Sequence, residues 1–233
     1  MKPRVKLAEA NCADGGVIAL YEHDGAYSIN IRGQELMHSK ACASELLLGK
    51  LGTEKLERDQ PARVLVGGLG LGFTLRSVLE SIGETARVEV VELIPEVVEW
   101  NRSYLLSLNG SLLDDARVTL VVEDATPLLR RALPESYDVI LLDVDNGPVA
   151  MVAGSNASLY SKSGLRTIRS ALSPRGRAVF WSAGPDRAFE GRLKKAGFDV
   201  AAVPAKVHES ARRAAYLLYV ADKIADTESP SSP

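Results

Sequence analysis

Arg63-Val64-Leu65-Val66-Gly67-Gly68-Leu69-Gly70-Leu71-Gly72 constrains this chain more than any other stretch. A short apolar strand ends there in a glycine-rich turn and runs into a helix at Phe73. Glycines let the backbone turn sharply and approach a ligand closely, and the helix N-terminus adds a positive dipole end. Glu92 lies twenty residues past Gly72, at the tip of the next predicted strand, Arg87 to Glu92. A carboxylate at that spacing suits a nucleoside ribose, because it accepts bonds from both hydroxyls. Strand, glycine turn, helix and acid together predict a nucleoside pocket that includes Gly67, Gly68, Gly70, Gly72 and Glu92.

Charge and length exclude other classes. At a net charge of −2 there is no electrostatic reason to expect nucleic acid or an anionic membrane as partner. No apolar run approaches the roughly 18 residues of a membrane helix, and MKPRVKLAEAN has no signal-peptide apolar region. Cys12 and Cys42 are too few for a disulfide framework, so a reducing cytoplasm is the expected location. His23, His38 and His208 are scattered and form no zinc pattern.

The 233 residues divide into a leader (1–60), a main α/β domain (61–223) and a disordered tail (224–233). In the leader, GVIALYEHDGAYSINIR predicts a hairpin turning at His23-Asp24-Gly25, and Ser44 to Leu51 predict a helix ended by Gly52. From Arg63 onward strands and helices alternate, and the strands are near-continuous apolar runs, as in a parallel sheet covered on both faces. Two last strands, Phe198–Val203 and Ala215–Ala221, leave no room for a helix between them, so one strand runs antiparallel. The predicted fold is therefore α/β: a Rossmann-like class I methyltransferase fold with a mostly parallel seven-stranded sheet and a closing antiparallel strand, preceded by a small N-terminal β-hairpin region.

In such sheets ligands bind beyond the carboxyl ends of the strands. Three acids sit at those ends, Glu92, Asp124 and Asp143, and buried acids are costly unless paired. Each has a structural alternative: Glu92 or Asp124 as a helix cap, Asp143 as an anchor of its own loop. Asp143-Val144-Asp145-Asn146-Gly147-Pro148 is a turn bearing two carboxylates and an amide. It suits an ammonium group whose proton a carboxylate accepts. A metal on Asp143, Asp145 and Asn146 would need further oxygen ligands that the sequence does not supply, so none is expected. Tyr160 is a candidate for the acceptor pocket, with packing at the start of the next helix as the alternative, and Trp181 for its wall, with the core as the commoner place for a strand-end Trp. Met37 and Met151 read as core fillers, and Gln34, His38, Ser39, Arg212 and Arg213 as solvated.

VLVGGLGLG, VVELIPEVVEWNRSYL, ARVTLVVEDA and YDVILLDVDNGP, in that order, resemble the spermidine synthase (polyamine aminopropyltransferase) family over roughly residues 62 to 182. The resemblance implies that Glu92 binds the ribose hydroxyls, that Asp124 with Ala125 reads the adenine amino group, and that Asp143 lies beside the reacting amine. It also implies a homodimer paired through the leader or a sheet edge. Four places depart from the family pattern. Gly70 replaces the Asp that holds the aminopropyl amine, and Ile94 replaces an acid. Asn146, with Asp145 between it and Asp143, replaces the second acid of the loop. The leader keeps only Glu45 of its acidic groups. On these departures the favoured reading is a methyltransferase that uses S-adenosylmethionine on a small-molecule acceptor, with Asp143, Asp145 and Tyr160 as catalytic candidates. The alternatives are a divergent aminopropyltransferase using decarboxylated S-adenosylmethionine, with Asp145 and Glu45 compensating, and a non-catalytic nucleoside-binding protein.

Overall fold

Asp24 and Gly25 close the leader hairpin with φ values of +50° and +73°, the two positive values that a two-residue turn matched to strand twist requires. A computed structural model of the chain describes residues 3–12, 15–143 and 156–225. Its first sheet is antiparallel, in the order β1 (Val5–Asn11), β2 (Val17–His23), β3 (Ala26–Ile31), β4 (Gln34–His38). The sequence reading found only β2 and β3. The outer strand β1 is largely exposed and so lacks a clear apolar face. The turn into β4 is Arg32-Gly33, with Arg32 at φ +49° although arginine is not a turn-forming type.

Helix α1 (Ala43–Thr53) runs through Gly52 instead of stopping there. Gly52 is a close-packing position: a Cβ on it would lie 2.4 Å from Leu141 Cδ2. At Gly49 a Cβ would lie 2.6 Å from Ser77 Cβ. The two glycines thus let α1 approach both the main sheet and the helix beside it.

The alternating part unfolds in sequence as β5 (Arg63–Gly67), α2 (Phe73–Ser81), β6 (Arg87–Glu92), α3 (Pro95–Arg102), α4 (Leu106–Asn109), β7 (Val118–Val122), α5 (Ala125–Arg131) and β8 (Tyr137–Leu142). It continues with α6 (Lys162–Ala171), β9 (Leu172–Ser182), α7 (Arg187–Lys195), β10 (Phe198–Ala205) and β11 (Tyr216–Lys223). These strands form one seven-stranded sheet, ordered β10-β11-β9-β8-β5-β6-β7. Pairings along β9-β8-β5-β6-β7 are parallel, and β11 is antiparallel to both β9 and β10. The expected closing antiparallel strand is therefore β11.

Alternation along the strands separates two cores. Leu141, Val179 and Trp181 face α1 and the leader, where Ile18, Leu20 and Ile29 join the same cluster. Ile140, Leu142 and Phe180 face the other way, toward α5, α6 and α7. The chain leaves β5 for β6 and β7 on one side and returns to β8 on the other. The strand order therefore reverses between β5 and β8, where ligands of open α/β sheets bind. Asp145, Asn146, Met151, Ser155 and residues 226–233 of the tail lie outside the described residues.

Candidate functional site

Four strand tips, in the spatial order β7, β6, β5, β8, carry Asp124, Glu92, the glycine loop and Asp143. The tips are tied together by the backbone. Gly68 N donates to Val91 O at 2.8 Å, and Asp143 N donates to Gly67 O at 2.9 Å. Above them opens a cleft.

Glu92 is 8% exposed. Its Oε2 accepts from Leu69 N and its Oε1 from Ile94 N, both at 2.9 Å. One carboxylate thus clamps the loops after β5 and β6. Burial pushes its pKa up, against these backbone bonds that favour the charged form.

Two asparagines fix the glycine loop, and the sequence reading missed both. Asn101 Nδ2 donates to Gly70 O and Val97 O, each at 2.9 Å, and Asn109 Nδ2 donates to Leu71 O. Gly72 sits between the two amides: a Cβ there would lie 3.0 Å from each. An asparagine inside the apolar rhythm of α3 is a weak helix former, which was the available signal that Asn101 bonds elsewhere.

Asp124 caps α5, accepting from Thr126 N at 2.7 Å, and also lines the cleft with Ala125. The structural and functional readings of this residue are therefore compatible, since the cap uses Oδ1 alone.

Asp143 is partly exposed at the cleft lip. Its Oδ2 accepts from Thr74 Oγ1 at 3.2 Å, and the same hydroxyl lies 3.5 Å from Glu45 O. Helix α1 thereby brings Glu45 beside Asp143. Burial pushes the Asp143 carboxyl up to about 8, the Glu45 charge adds to this, and the Thr74 bond opposes it. Burial raises Glu45 as well, against its 2.5 Å bond from Ser44 Oγ. Two adjacent carboxylates of this kind favour holding a proton or a cation between them.

On the same sheet face, the Trp181 ring lies 4.8 Å from that of Tyr216. Tyr216 feels Glu45: burial first and then that charge raise its phenol. Tyr160 is elsewhere. Its ring is 3% exposed and packs against Phe180 and Phe189 in the core of the opposite face, so it does not line the cleft. The Phe180–Phe189 aromatic cluster holds that ring inward, which sequence spacing does not reveal. Arg212 and Arg213 are exposed.

Of the glycines, Gly68 and Gly70 line the cleft, while Gly67 belongs to β5 and Gly72 to the start of α2. Met37 packs against the core, as read from sequence, and also lines the cleft with Ile18, Ile29 and Leu36. The leader sheet is therefore one wall of the site. The charged lining residues are all acids: Glu92, Glu123, Asp124 and Asp143. Glu123 is paired with Arg131. No Lys, Arg or His lines the cleft among the described residues, and the sequence from 144 to 155 contains none.

Comparison with known proteins agrees with this geometry. Residues 35–185 match the family model of the spermine/spermidine synthase domain. Polyamine aminopropyltransferase 2 of Pseudomonas aeruginosa is 37% identical over 125 residues, covering 52% of this chain and 33% of that protein. The polyamine aminopropyltransferase of Halorhodospira halophila is 37% identical over 128 residues, covering 54% and 43%. The chain thus spans less than half the length of these curated relatives. Two solved structures share the fold. Spermidine synthase from Thermotoga maritima superimposes with a TM-score of 0.73 at 19% identity, over 95% of this chain and 74% of that one. A spermidine synthase in complex with the transition state analogue AdoDATO gives 0.77 at 20% identity, with the same coverage. With a matched segment that runs from β4 to just past β9 and takes in the glycine loop, Glu92, Asp124 and Asp143, the chain belongs to the spermine/spermidine synthase domain family.

Proposed function

We propose that this chain transfers the aminopropyl group of decarboxylated S-adenosylmethionine to the amine of a small-molecule acceptor. The observation that carries the proposal is the charge of the cleft: four acids and no cation among the described lining residues. A methionine carboxylate would enter without a partner and against like charge, whereas a donor that has lost its carboxylate brings only cationic groups. The names of the relatives, polyamine aminopropyltransferases, point the same way. This corrects the sequence-based preference for methyl transfer. That preference rested on the acids replaced at Gly70, Ile94 and Asn146 and on the few left in the leader.

Strand order supplies the orientation. Adenine at Asp124 on β7, ribose at Glu92 on β6 and the 5′ sulfonium over the glycine loop of β5 bring the reacting carbon toward Asp143 on β8. The acceptor ammonium lies between Asp143 and Glu45 and gives its proton to Asp143. The freed nitrogen lone pair attacks the aminopropyl carbon next to sulfur. The carbon–sulfur bond breaks with its electrons on sulfur, leaving 5′-methylthioadenosine and an alkylated amine. Sulfonium is already an activated leaving group, so positioning supplies much of the acceleration. A carboxyl with a raised pKa is the stronger base for this proton.

Calorimetric titration with decarboxylated and intact S-adenosylmethionine tests the donor. The decarboxylated form should bind at least about tenfold more tightly, the size of one unmet charge. Tighter binding of the carboxylated form would return the chain to methyl transfer.

Asp124 offers a separate check of the adenine assignment. Asp124→Ala removes cap and ligand contact together, lowering stability by about 1 kcal/mol, whereas Asp124→Ser keeps a capping oxygen. Both variants should weaken 5′-methylthioadenosine by about tenfold, with only the alanine variant losing stability. Unchanged nucleoside affinity in the serine variant would leave Asp124 as a cap alone.

A further inference from the structure

We propose that Met37 is the residue that reads the donor's 5′ substituent, by apolar contact over Gly70, and so sets which nucleosides the cleft accepts. Gly70 has φ +50°, a conformation that Asp and Asn tolerate better than other side chains do. Backbone strain therefore does not exclude an acid at this position. Space is taken by one side-chain tip: a Cβ on Gly70 would lie 2.5 Å from Met37 Sδ and 2.8 Å from Met37 Cε, so Met37 must move to admit a side chain, and apart from the chain neighbours no other described atom falls within 4 Å. The tip of one side chain from the leader sheet fills the volume that a side chain at position 70 would use.

That tip stands at a defined place in the site. Met37 is paired with the buried Ile29 across β4 and β3, which fixes its backbone. The glycine loop follows β5, between Glu92 on β6 and Asp143 on β8. A nucleoside whose ribose meets Glu92 and whose reacting carbon faces Asp143 must carry its 5′ group past Gly70. The group it meets there is a thioether backed by Ile18, Ile29 and Leu36. A polarizable, unbranched side chain adapts to a sulfur-bearing alkyl group and offers it no charge. The substituent is thus selected by shape and apolarity on this wall, and charge is read only from the Asp143 side.

The inference deepens the aminopropyl-donor reading, which supplies the identity of the ligand. Its test uses adenosine and 5′-methylthioadenosine, which differ only in the 5′ substituent, so the two readings fail separately. Met37→Ala should weaken 5′-methylthioadenosine about fourfold and leave adenosine unchanged, as expected for removal of a contact worth one or two methylenes. Equal effects on both nucleosides, or none on either, would overturn the proposal. In the second arm, Gly70→Asp is combined with Met37→Ala. The ratio of decarboxylated S-adenosylmethionine to 5′-methylthioadenosine affinity should rise about tenfold in the double variant and much less in Gly70→Asp alone, because Met37 occupies the space. A full rise in the single variant would show that Met37 is no barrier and would also overturn the proposal. Preference for intact S-adenosylmethionine in the wild type, with the Met37→Ala result as expected, would reject the donor identity and keep the role of Met37.

Discussion

Asp143→Asn is expected to lower kcat about a thousandfold while leaving the dissociation constant of 5′-methylthioadenosine within about threefold. The amide keeps the shape and the Thr74 contact but cannot take the ammonium proton. Nucleoside affinity survives because Asp124, Glu92 and the glycine loop lie on the neighbouring tips. The same substitution should stabilise the fold at neutral pH by at least ~1 kcal/mol. The sign follows from the carboxyl's raised pKa. Between the ordinary value of 3.8 and about 8 the folded state holds a proton that the unfolded chain has released, so stability falls as pH rises through that window. Asparagine removes the dependence on this group. The ionised pair is needed for turnover, so kcat/KM in the wild type should fall as pH drops below about 8. Glu45→Gln should move that limb to lower pH by removing the neighbouring charge. A limb that stays in place in Glu45→Gln would assign it to the acceptor amine, and normal turnover in Asp143→Asn would remove the residue from the chemistry.

The largest effect on stability is expected at a residue outside the cleft. Arg177 on β9 is 7% exposed and joins three elements. Nε and Nη2 donate to the two carboxylate oxygens of Asp222 on β11, at 2.8 and 3.0 Å. Nη1 donates to Leu51 O of α1 at 2.7 Å and to Glu54 at 3.2 Å. Burial alone would raise Asp222, but Arg177 and Lys55 hold it below its ordinary value. Arg177→Met keeps the aliphatic stem and leaves the part-buried Leu51 carbonyl and the Asp222 carboxylate short of a donor. The cost should be about 3 kcal/mol, or a fall in Tm of roughly 6 to 12 °C for a chain of this size. Because Arg177 anchors the helix that carries Glu45, the variant should also lose activity before it unfolds. A Tm unchanged within a degree would mean that apolar packing alone holds α1 to the sheet.

Much of the architecture was legible because most strands of the main sheet contain an apolar run between clear breakers. The helix after Pro95 and the hairpin at Asp24-Gly25 carry local signals that tertiary contacts do not override. Glu92, Asp124 and Asp143 were found because acids at the ends of apolar strands are expensive without a purpose. The failures have a common physical origin. Gly52 looked like a helix stop because sequence shows a missing side chain and not the Leu141 methyl that needs the space. Met37 does pack against the core as read, but its further contact, with a glycine 33 positions later in the chain, has no local signal. Tyr160 looked like a pocket residue because its position after the fourth strand of the main sheet is correct, while its ring turns into the opposite core. Asn101 and Asn109 act through backbone carbonyls of the glycine loop, and a weak helix former inside α3 hints that Asn101 bonds elsewhere without showing to what. In each case the deciding partner is remote along the chain.

Glu92 holds the loops of two strands through its two oxygens before any ligand arrives. Under the proposed donor reading, a nucleoside would meet a receptor already set in its binding geometry. The entropy of ordering those loops is charged to folding and not to association, so capture of the donor requires no slow rearrangement at the ribose end. Selectivity and any conformational delay are left to the other end of the cleft, where the leader sheet and the tip of β8 face each other.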